Sequence, residues 1–321
     1  MLLAADIGGT WVRLQALSRD GGWLAGSIAP SADFSGLDDA INQFRQQHGL
    51  AGFAAACIGL PGPVSGRQAV LTNLPWQVDA DWLEQHCGID RVQLVNDFQA
   101  AACGVDELSA ERLLVLNPGQ PQAHGHRLVV GAGTGLGVAP VFVCGERHIP
   151  VACEGGHMSF APADDLQQDL LRWLWRQWEH VSWERILSGP GLVLLHGFLS
   201  GLEHPRLAGE ITAAEVSARA GQGDPVACQT LSAFVAMYGS YLGSLAMFWP
   251  APGGIYIAGG VAGKISHWMQ QAGFLQAMQA KGRMAELVCR MPVYLVRDKE
   301  LGLRGAARLV RQLIDSQAGG K

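Results

Sequence analysis

Apolar and polar residues alternate most clearly near the N-terminus. An apolar run at residues 2–5 is followed by a Gly-Gly-Thr turn and then by residues 12–17, where apolar and polar side chains alternate with period two. This pattern predicts a β-hairpin rather than a strand that leads into a helix.

The next segments predict an α/β arrangement. A helix is predicted at about 37–48, a strand at 53–58 and a short helix that opens at Asp79. The apolar run 92–95 is a predicted strand that leads directly into Asn96 and Asp97, before a helix. These two polar residues therefore lie at the carboxyl end of a strand, where open α/β sheets bind ligands.

A second strand-turn-strand pattern follows about one domain later. Strands are predicted at 127–130 and 136–143 on either side of a glycine-rich turn, and a third strand leads to Cys153. The remaining elements are predicted helices at about 165–179, 183–187, 226–249 and 303–314, and strands at 254–258 and 293–296. Two α/β units that both begin with strands suggest an internal duplication, with the functional site in the cleft between the halves.

One stretch raises the question of a membrane span. No charged residue occurs between Asp224 and Lys264, and the apolar part of this stretch is long enough to cross a bilayer. Small residues suited to close helix packing lie within it, and Pro250 follows at once. We therefore expect a buried core helix and no membrane partner.

Composition narrows the possible partners and the compartment. The 321 residues, 49 % of them hydrophobic, suffice for two domains. The net charge of -5 is spread along the chain, which argues against nucleic acid as a partner. The seven cysteines are far apart and the N-terminus does not have the pattern of a secretory signal, so we expect reduced thiols in the cytoplasm.

Two glycine turns carry the first chemical signal. In Asp6-Ile7-Gly8-Gly9-Thr10, glycine allows close approach to phosphate oxygens, backbone amides donate to them, and Asp6 would face magnesium through water. Taken alone, either this turn or the one at 131–135 is better explained as an ordinary glycine-rich hairpin turn. Together they suggest a clamp on the phosphates of ATP.

Several polar residues are candidates for substrate chemistry. Asp97 could accept the proton of an attacking hydroxyl, or it could simply cap the following helix. Glu154 and His157, separated by two glycines, can bind neighbouring hydroxyls, whereas a zinc site at Cys153 and His157 lacks further ligands. Glu184 is predicted near a helix start, where a purely structural role is equally open.

Two loops complete the candidate set. The segment around Asn73 could present that residue to a polar ligand, while Trp76 is expected to pack. The strand 254–258 ends at Gly259 and Gly260, a turn flat enough for an adenine ring to pack on the backbone.

The ordered series of motifs resembles the bacterial glucokinase family of the actin-like superfamily. The segments DIGGT, TNLPW, VNDFQA, GAGTGLG, EGGH, SWERILSGPGL, IYIAGGV and PVYLV follow the order and approximate spacing of that family over nearly the whole chain. The resemblance implies an α/β, two-domain actin-like (ribonuclease H-like) fold, ATP and Mg²⁺ as cofactors, glucose as acceptor and a cytosolic homodimer.

The resemblance also implies a role for each candidate residue. Asp97 would be the general base, and the glucose hydroxyls would be bound by Asn96, Glu154, His157 and Glu184. The nucleotide would be held by Ala5, Asp6, Ile7, Gly8, Gly9 and Thr10, by Gly131, Gly133 and Thr134, and by Gly259 and Gly260. Residues 1–107 with 298–321 would form the small domain, completed by the C-terminal helix, and residues 108–297 the large one.

One departure from the family and several alternatives stay open. Trp11 follows the first Gly-Gly-Thr where the family usually has asparagine, so it either packs under the hairpin or affects nucleotide binding and donor choice. A kinase for another hexose or an amino sugar remains open, as do a non-catalytic sugar sensor and an ATPase of the actin or Hsp70 type.

Overall fold

A computed structural model describes residues 1–71 and 74–318. Its strands are β1 (Leu2–Ile7), β2 (Trp11–Leu17), β3 (Trp23–Pro30), β4 (Ala55–Leu60), β5 (Val64–Ser65), β6 (Gln68–Val70), β7 (Gln77–Asp79), β8 (Val92–Asn96), β9 (Leu113–Asn117), β10 (Arg127–Ala132), β11 (Leu136–Cys144), β12 (Arg147–Pro150), β13 (Gly254–Ala258) and β14 (Val293–Val296).

The helices follow the same chain order. They are α1 (Leu37–Gln47), α2 (Ala80–His86), α3 (Asp97–Gly104), α4 (Asp165–Leu174), α5 (Gly189–Leu199), α6 (Ala213–Gly221), α7 (Pro225–Phe248), α8 (Gly260–Lys264), α9 (Ser266–Met269), α10 (Ala272–Gln279), α11 (Ala285–Cys289) and α12 (Leu301–Ala318). Short 3₁₀ turns lie at Ser31–Asp33, Val105–Glu107, Ala110–Arg112, Gly155–His157, Pro205–Glu210 and Gly282–Met284.

The chain divides into two compact units. The first unit contains the described residues of Met1–Ser109, Pro150–Ala152 and Glu300–Lys321, and the second contains Ala110–Ile149 and Cys153–Lys299. The assignment of residues 1–107 with 298–321 and of 108–297 to separate domains stays a prediction.

The main sheet of the first unit has the strand order β3-β2-β1-β4-β8. The predicted N-terminal hairpin is confirmed, because β1 pairs antiparallel with β2, while β4 and β8 run parallel to β1. Leu3 packs in a core with Ile41 of α1, whereas its neighbour Leu2 packs in a second core with Val310 of α12. Helices therefore cover both faces of this sheet, which explains why β1 is almost continuously apolar.

Two helices of the first unit approach each other through glycine. A Cβ on Gly305 of α12 would lie 1.6 Å from the Ala100 carbonyl oxygen of α3, and one on Gly104 would lie 2.2 Å from the Leu301 carbonyl oxygen. No side chain fits at either contact. The C-terminal helix can therefore pack directly on the backbone of α3, which carries Asp97 at its start.

The main sheet of the second unit repeats this topology. Its order is β12-β11-β10-β13-β14-β9, so an antiparallel hairpin is again followed by two strands parallel to its first strand. The predicted strands at 127–130, 136–143, 254–258 and 293–296 are confirmed. The shared order supports the predicted duplication, with β9 added at the far edge of the second sheet.

The long apolar segment forms α7, as predicted. This helix passes the length and composition test for a membrane span, but Phe234, Tyr238 and Tyr241 are fully buried in the core of the second unit. A Cβ on Gly239 would lie 2.1 Å from the carbonyl oxygen of Phe274 in α10. The small residues of α7 therefore serve helix packing.

Two helix predictions are wrong: one helix is shorter than predicted, and the other is not a helix. The helix predicted at 165–179 ends at Leu174, and residues 183–187 form a turn instead of a helix. The amide of Trp183 donates to the Met158 carbonyl and that of Glu184 to the Gly156 carbonyl. These tertiary hydrogen bonds hold the turn away from a regular helix, and α5 begins only at Gly189, after the Ser188 cap.

Candidate functional site

Three parallel strands of the first unit end at one edge of the sheet. Asp6 of β1 pairs with Gly59 of β4, and Leu60 of β4 pairs with Asn96 of β8. Asp6 and Asp97 consequently lie at the same edge, roughly 10 Å or two strand spacings apart. A Cβ on Gly59 would lie 3.3 Å from the Ala100 Cβ and 3.7 Å from the Asp97 Cα, so glycine at this position lets the start of α3 pack closely on β4.

The first glycine turn, residues 8–10, joins β1 to β2 at this edge. The Gly8 amide donates to the Trp11 carbonyl at 2.8 Å. Buried Ser31 holds the turn from outside, because its hydroxyl donates to the Gly8 carbonyl at 2.9 Å and its amide donates to the Thr10 carbonyl at 3.0 Å. Thr10 is exposed, so its hydroxyl is accessible to a ligand.

Asp6 is paired with a cation on the neighbouring strand. Arg13 Nη1 lies 3.1 Å from Asp6 Oδ2, and the two residues are directly opposite each other in the β1–β2 register. Burial raises the pKa of Asp6, and the Arg13 guanidinium opposes this effect by favouring the carboxylate. A Cβ on Gly302 would lie 2.9 Å from Asp6 Oδ1, so the start of α12 comes close to this carboxylate.

Asn96 and Asp97 take different structural roles at the start of α3. Asn96 caps the helix by accepting from the amides of Phe98 and Gln99, and its own amide group donates to the Gly62 carbonyl at 3.2 Å. The alternative in which Asp97 is the cap is therefore wrong. Asp97 accepts from the Phe98 amide at 2.9 Å, which fixes its carboxylate at the strand end.

Trp11 does not pack under the hairpin as a core residue. Its side chain is 43 % exposed, although its backbone carbonyl closes the first glycine turn. Trp11 alternates with buried Val12 and lies on the same face of β2 as Arg13, the partner of Asp6. The indole is thus an accessible neighbour of the candidate phosphate turn.

The second glycine turn, residues 133–135, joins β10 to β11 in the second unit. The Gly133 amide donates to the Gly135 carbonyl, and the Gly189 amide at the start of α5 donates to the Gly133 carbonyl, both at 2.8 Å. The amide of Leu136, just after the turn, donates to Glu184 Oε2 at 2.9 Å. This turn and the residue after it are therefore held by Glu184 and Gly189, which lie close together in the chain before and at the start of α5.

The absence of a side chain serves different physical purposes at the glycines near the second turn. Gly259 has φ of +89°, and its Cβ would lie 2.4 Å from the Ala132 carbonyl oxygen, so the fold itself requires glycine there. Gly133 and Gly260 have no positive φ, and a Cβ at either would meet nothing within 4 Å. Their lack of a side chain leaves open space, which suits a bound phosphate or adenine.

The predicted sugar-binding residues of the second unit surround a 3₁₀ turn. Glu154 precedes Gly155–His157, the His157 amide donates to the Glu154 carbonyl at 3.0 Å, and both side chains are exposed. A Cβ on Gly156 would lie 2.0 Å from the Leu136 carbonyl oxygen. The two glycines thus seat the turn directly against β11 while leaving Glu154 and His157 at the surface.

Glu184 lies beside both groups. Its Oε1 is 3.9 Å from His157 Nε2 and its Oε2 accepts the Leu136 amide. The prediction that this carboxylate lies at a helix start is wrong, since it belongs to the turn before α5. Glu184 instead connects the 154–157 turn with the second glycine turn.

The sequence reasoning missed several supporting residues. Ser31 and Gly189 hold the first and the second glycine turn, and Ser188 caps α5. His180 Nε2 lies 3.0 Å from the His157 carbonyl oxygen of the 154–157 turn. Ser188 had a readable signal, because a serine followed by proline two positions later typically begins a helix. Ser31 had none, because its partner Gly8 lies 23 residues earlier in the chain.

The candidate residues fall into two groups, one in each unit. The first contains Ala5, Asp6, Ile7, Gly8, Gly9, Thr10, Asn96 and Asp97, and the second contains Gly131, Gly133, Thr134, Glu154, His157, Glu184, Gly259 and Gly260. Asn73 lies outside the described residues. Asp6 offers magnesium a single, partly buried carboxylate. One carboxylate fits an ion whose other ligands are water and phosphate oxygens.

A family model described as Glucokinase matches residues 3–313. The "Glucokinase" of Yersinia pestis (strain Pestoides F) is 34 % identical over 312 residues, which cover 97 % of this chain and 96 % of that protein. The "Bifunctional protein glk" of Paraburkholderia xenovorans (strain LB400) is 30 % identical over 318 residues. This alignment covers 99 % of the chain, which spans about half the length (50 %) of that relative.

Solved structures are similar over the same extent. The crystal structure of a glucokinase from an Antarctic psychrotroph has a TM-score of 0.81 and 30 % identity, covering 97 % of this chain and 98 % of the other. A ROK family glucokinase from Streptomyces griseus, in complex with glucose and AMPPNP, has a TM-score of 0.63 and 24 % identity, covering 97 % and 99 %. The second likeness concerns the fold alone.

Proposed function

We propose that this chain, which belongs to the glucokinase family and has its actin-like α/β fold, transfers the γ-phosphoryl group of ATP to the 6-hydroxyl of glucose. The observation that carries the proposal is the hydrogen-bonded group in the second unit. There, Glu184 joins the turn bearing Glu154 and His157 to the second glycine turn. Sugar-binding and phosphate-binding groups next to each other are what a sugar kinase requires.

In this proposal Asp97 is the general base. Its carboxylate accepts the proton of the 6-hydroxyl, the hydroxyl oxygen bonds to the γ-phosphorus, and the bond from that phosphorus to the β–γ bridging oxygen breaks to leave ADP. The hydrogen bond from the Phe98 amide to Asp97 supports this role, because it holds the carboxylate at the strand end.

The remaining candidate residues bind and orient. Asn96, Glu154, His157 and Glu184, with Asn73, hold the glucose hydroxyls, and a site built for a hydroxyl discriminates against a sugar that lacks it. The two glycine turns donate amides to the phosphates. Asp6 would hold magnesium through water, and the ion, when bound, neutralises phosphate charge.

The proposal also covers the compartment, the oligomeric state and the pathway of the protein. All seven cysteines are free thiols, which supports a reducing compartment such as the cytoplasm. The resemblance to glucokinases supports a homodimer, which light scattering of the purified chain would test. We also propose that the two compact units are the two domains of the kinase and that the chain acts in glycolysis.

The decisive experiment is ADP release from magnesium-ATP by the purified chain. Glucose, mannose, fructose, N-acetylglucosamine and N-acetylmannosamine are compared with no sugar. Strong stimulation by glucose alone is the expected result. Stimulation by another sugar alone would reassign the acceptor, and equal ADP release without sugar would favour an ATPase.

A second candidate is a sugar-binding protein without phosphoryl transfer or with another donor. The observation that favours it is the exposed indole of Trp11 beside the first glycine turn. Glucose binding measured by calorimetry without any ADP release would support it. In that case Trp11→Asn, which restores the residue usual in the family, should restore transfer from ATP.

A further inference from the structure

The Glu184 carboxylate divides its two oxygens between two loops of the second unit. Oε2 accepts the Leu136 amide at 2.9 Å, and Oε1 is 3.9 Å from His157 Nε2. The side chain is 32 % exposed, so it is not closed off from a ligand. One oxygen is therefore bonded to the end of the second glycine turn, and the other faces the turn that carries His157.

The approach of this carboxylate to the second glycine turn depends on glycine. A Cβ on Gly135 would lie only 2.5 Å from Glu184 Oε2. The hydrogen bond to Leu136 is charge-assisted, because its acceptor is a carboxylate, and such bonds are roughly twice as strong as neutral ones. Glu184 is consequently a strong anchor for the end of this turn.

The backbone around Glu184 makes the same connection. Its amide donates to the Gly156 carbonyl at 2.8 Å, and five residues later the Gly189 amide donates to the Gly133 carbonyl at 2.8 Å. We define residues 182–189 as the linking segment. One part of it is bonded to the turn that carries His157, and its end is bonded to the second glycine turn.

We infer that Glu184 is, besides a sugar ligand, a positioning residue for the second glycine turn, and that through it bound sugar strengthens nucleotide binding. The inference rests on the proposed function for the identity of the two ligands. A sugar hydroxyl that donates to Oε1 fixes the rotamer of the carboxylate. The bond from Oε2 to Leu136 then orders the turn before the nucleotide arrives, so that nucleotide binding loses less conformational entropy.

The coupling must be reciprocal. If glucose tightens nucleotide binding by a given factor, nucleotide tightens glucose binding by the same factor. For one charge-assisted hydrogen bond we expect a factor of about 3 to 10, at the lower end of typical coupling between sites. Without the carboxylate, each ligand should bind independently of the other.

The test is calorimetric titration of Mg-AMPPNP into the full chain, with and without saturating glucose. In the unaltered protein, glucose should lower the nucleotide Kd about 3- to 10-fold. Glu184→Ala should weaken nucleotide binding about 5- to 10-fold even without sugar, because the Leu136 amide loses its acceptor. Glu184→Gln keeps a neutral oxygen acceptor, so it should weaken nucleotide binding less than Glu184→Ala does, while also weakening glucose binding.

Glu179→Ala is the matched control, because it removes an exposed carboxylate five residues away. It should leave both affinities unchanged. An unchanged nucleotide Kd in Glu184→Ala, or equal weakening in Glu184→Gln and Glu184→Ala, would overturn the positioning role. If the unaltered chain binds glucose but no nucleotide, ATP as donor fails together with this inference. Normal nucleotide binding with no effect of Glu184→Ala removes the inference alone.

Amide exchange gives a second readout that does not depend on the alanine variant. Glucose should slow exchange of the Leu136 amide in the unaltered protein and have less effect in Glu184→Gln, whose neutral amide binds the hydroxyl less strongly. Exchange at Gly8 in the first glycine turn provides the internal reference. Equal protection of Leu136 with and without glucose would contradict the coupling.

Discussion

The two glycine turns have the same position in their sheets but are held in different ways. The first, residues 8–10, is held at two carbonyls by one neutral residue, Ser31. The second, residues 133–135, is held at Gly133 by the first amide of α5. The carboxylate of Glu184 holds Leu136, the residue just after the turn. Among residues 1–71 and 74–318, the hydrogen bonds of the second turn lead to a candidate sugar ligand, Glu184, and those of the first turn do not.

This difference suggests how the duplicated units have become specialised. The edge of the first unit holds the two acidic residues proposed for chemistry, Asp6 and Asp97. The second unit brings Glu154, His157 and Glu184 to one place and ties them to its turn. We therefore expect changes at Asp97 mainly to affect turnover and changes at Glu154, His157 and Glu184 mainly to affect binding.

The largest expected effect comes from replacing the proposed base. Asp97→Ala should lower kcat by about 10²- to 10⁴-fold with little change in the KM for glucose, because a general base acts in the transition state. Glu154→Ala, its counterpart in the second unit, should mainly raise the KM for glucose. Steady-state ADP release at varied glucose measures both. Near-normal kcat in Asp97→Ala would remove Asp97 as the base.

The next effect separates two glycines of the second unit. Gly259→Ala should destabilise the chain by about 2–4 kcal/mol, because φ is positive and the methyl group would meet the Ala132 carbonyl. Gly133→Ala meets no atom, so its stability should be unchanged while its affinity for Mg-AMPPNP falls. Urea unfolding and calorimetry measure the two quantities. Similar loss of stability in both variants would contradict the distinction.

A smaller effect is expected at the first glycine turn. Ser31→Ala removes a buried hydroxyl that donates to the Gly8 carbonyl, which should cost about 1 kcal/mol of stability. Nucleotide affinity should fall several-fold, but the ratio of affinities with and without glucose should stay as in the unaltered protein. Ser27→Ala on β3 is the matched serine control. A changed ratio in Ser31→Ala would show that the first turn is also coupled to sugar.

The smallest effect concerns a buried histidine of the second unit. His196 packs between α5 and α7 with Nδ1 3.2 Å from Thr230 Oγ1, and burial and Arg219 lower its pKa. The unfolded chain therefore binds a proton more readily, so the free energy of unfolding should fall as the pH drops below the ordinary value of 6.5.

His196→Asn retains a donor toward Thr230 and cannot be protonated in this range. Urea unfolding between pH 7 and pH 5 should show a shallower loss of stability in this variant than in the unaltered protein. Parallel curves for the two proteins would show that His196 does not contribute to the pH dependence.

Local patterning predicted the elements whose residues decide their own structure. The hairpin of β1 and β2 follows from an apolar run, a Gly-Gly-Thr turn and the alternation in β2. The start of α2 follows from Asp79, which accepts from the amides of Asp81 and Trp82. The short helices α8, α9 and α11 were missed because segments of five residues or fewer show little periodicity. The turn at 183–187 was mistaken for a helix because its amides bond to a distant segment.

By itself, the sequence determined the duplicated α/β plan, the two Gly-Thr turns and the set of candidate polar residues, because these depend on periodicity and on residue type. Only the tertiary structure decided which partners those residues have. Asn96 rather than Asp97 caps α3, Arg13 faces Asp6, and Glu184 bonds to Leu136. Such contacts join residues far apart in the chain or depend on backbone direction, and hydrophobic patterning carries no information about either.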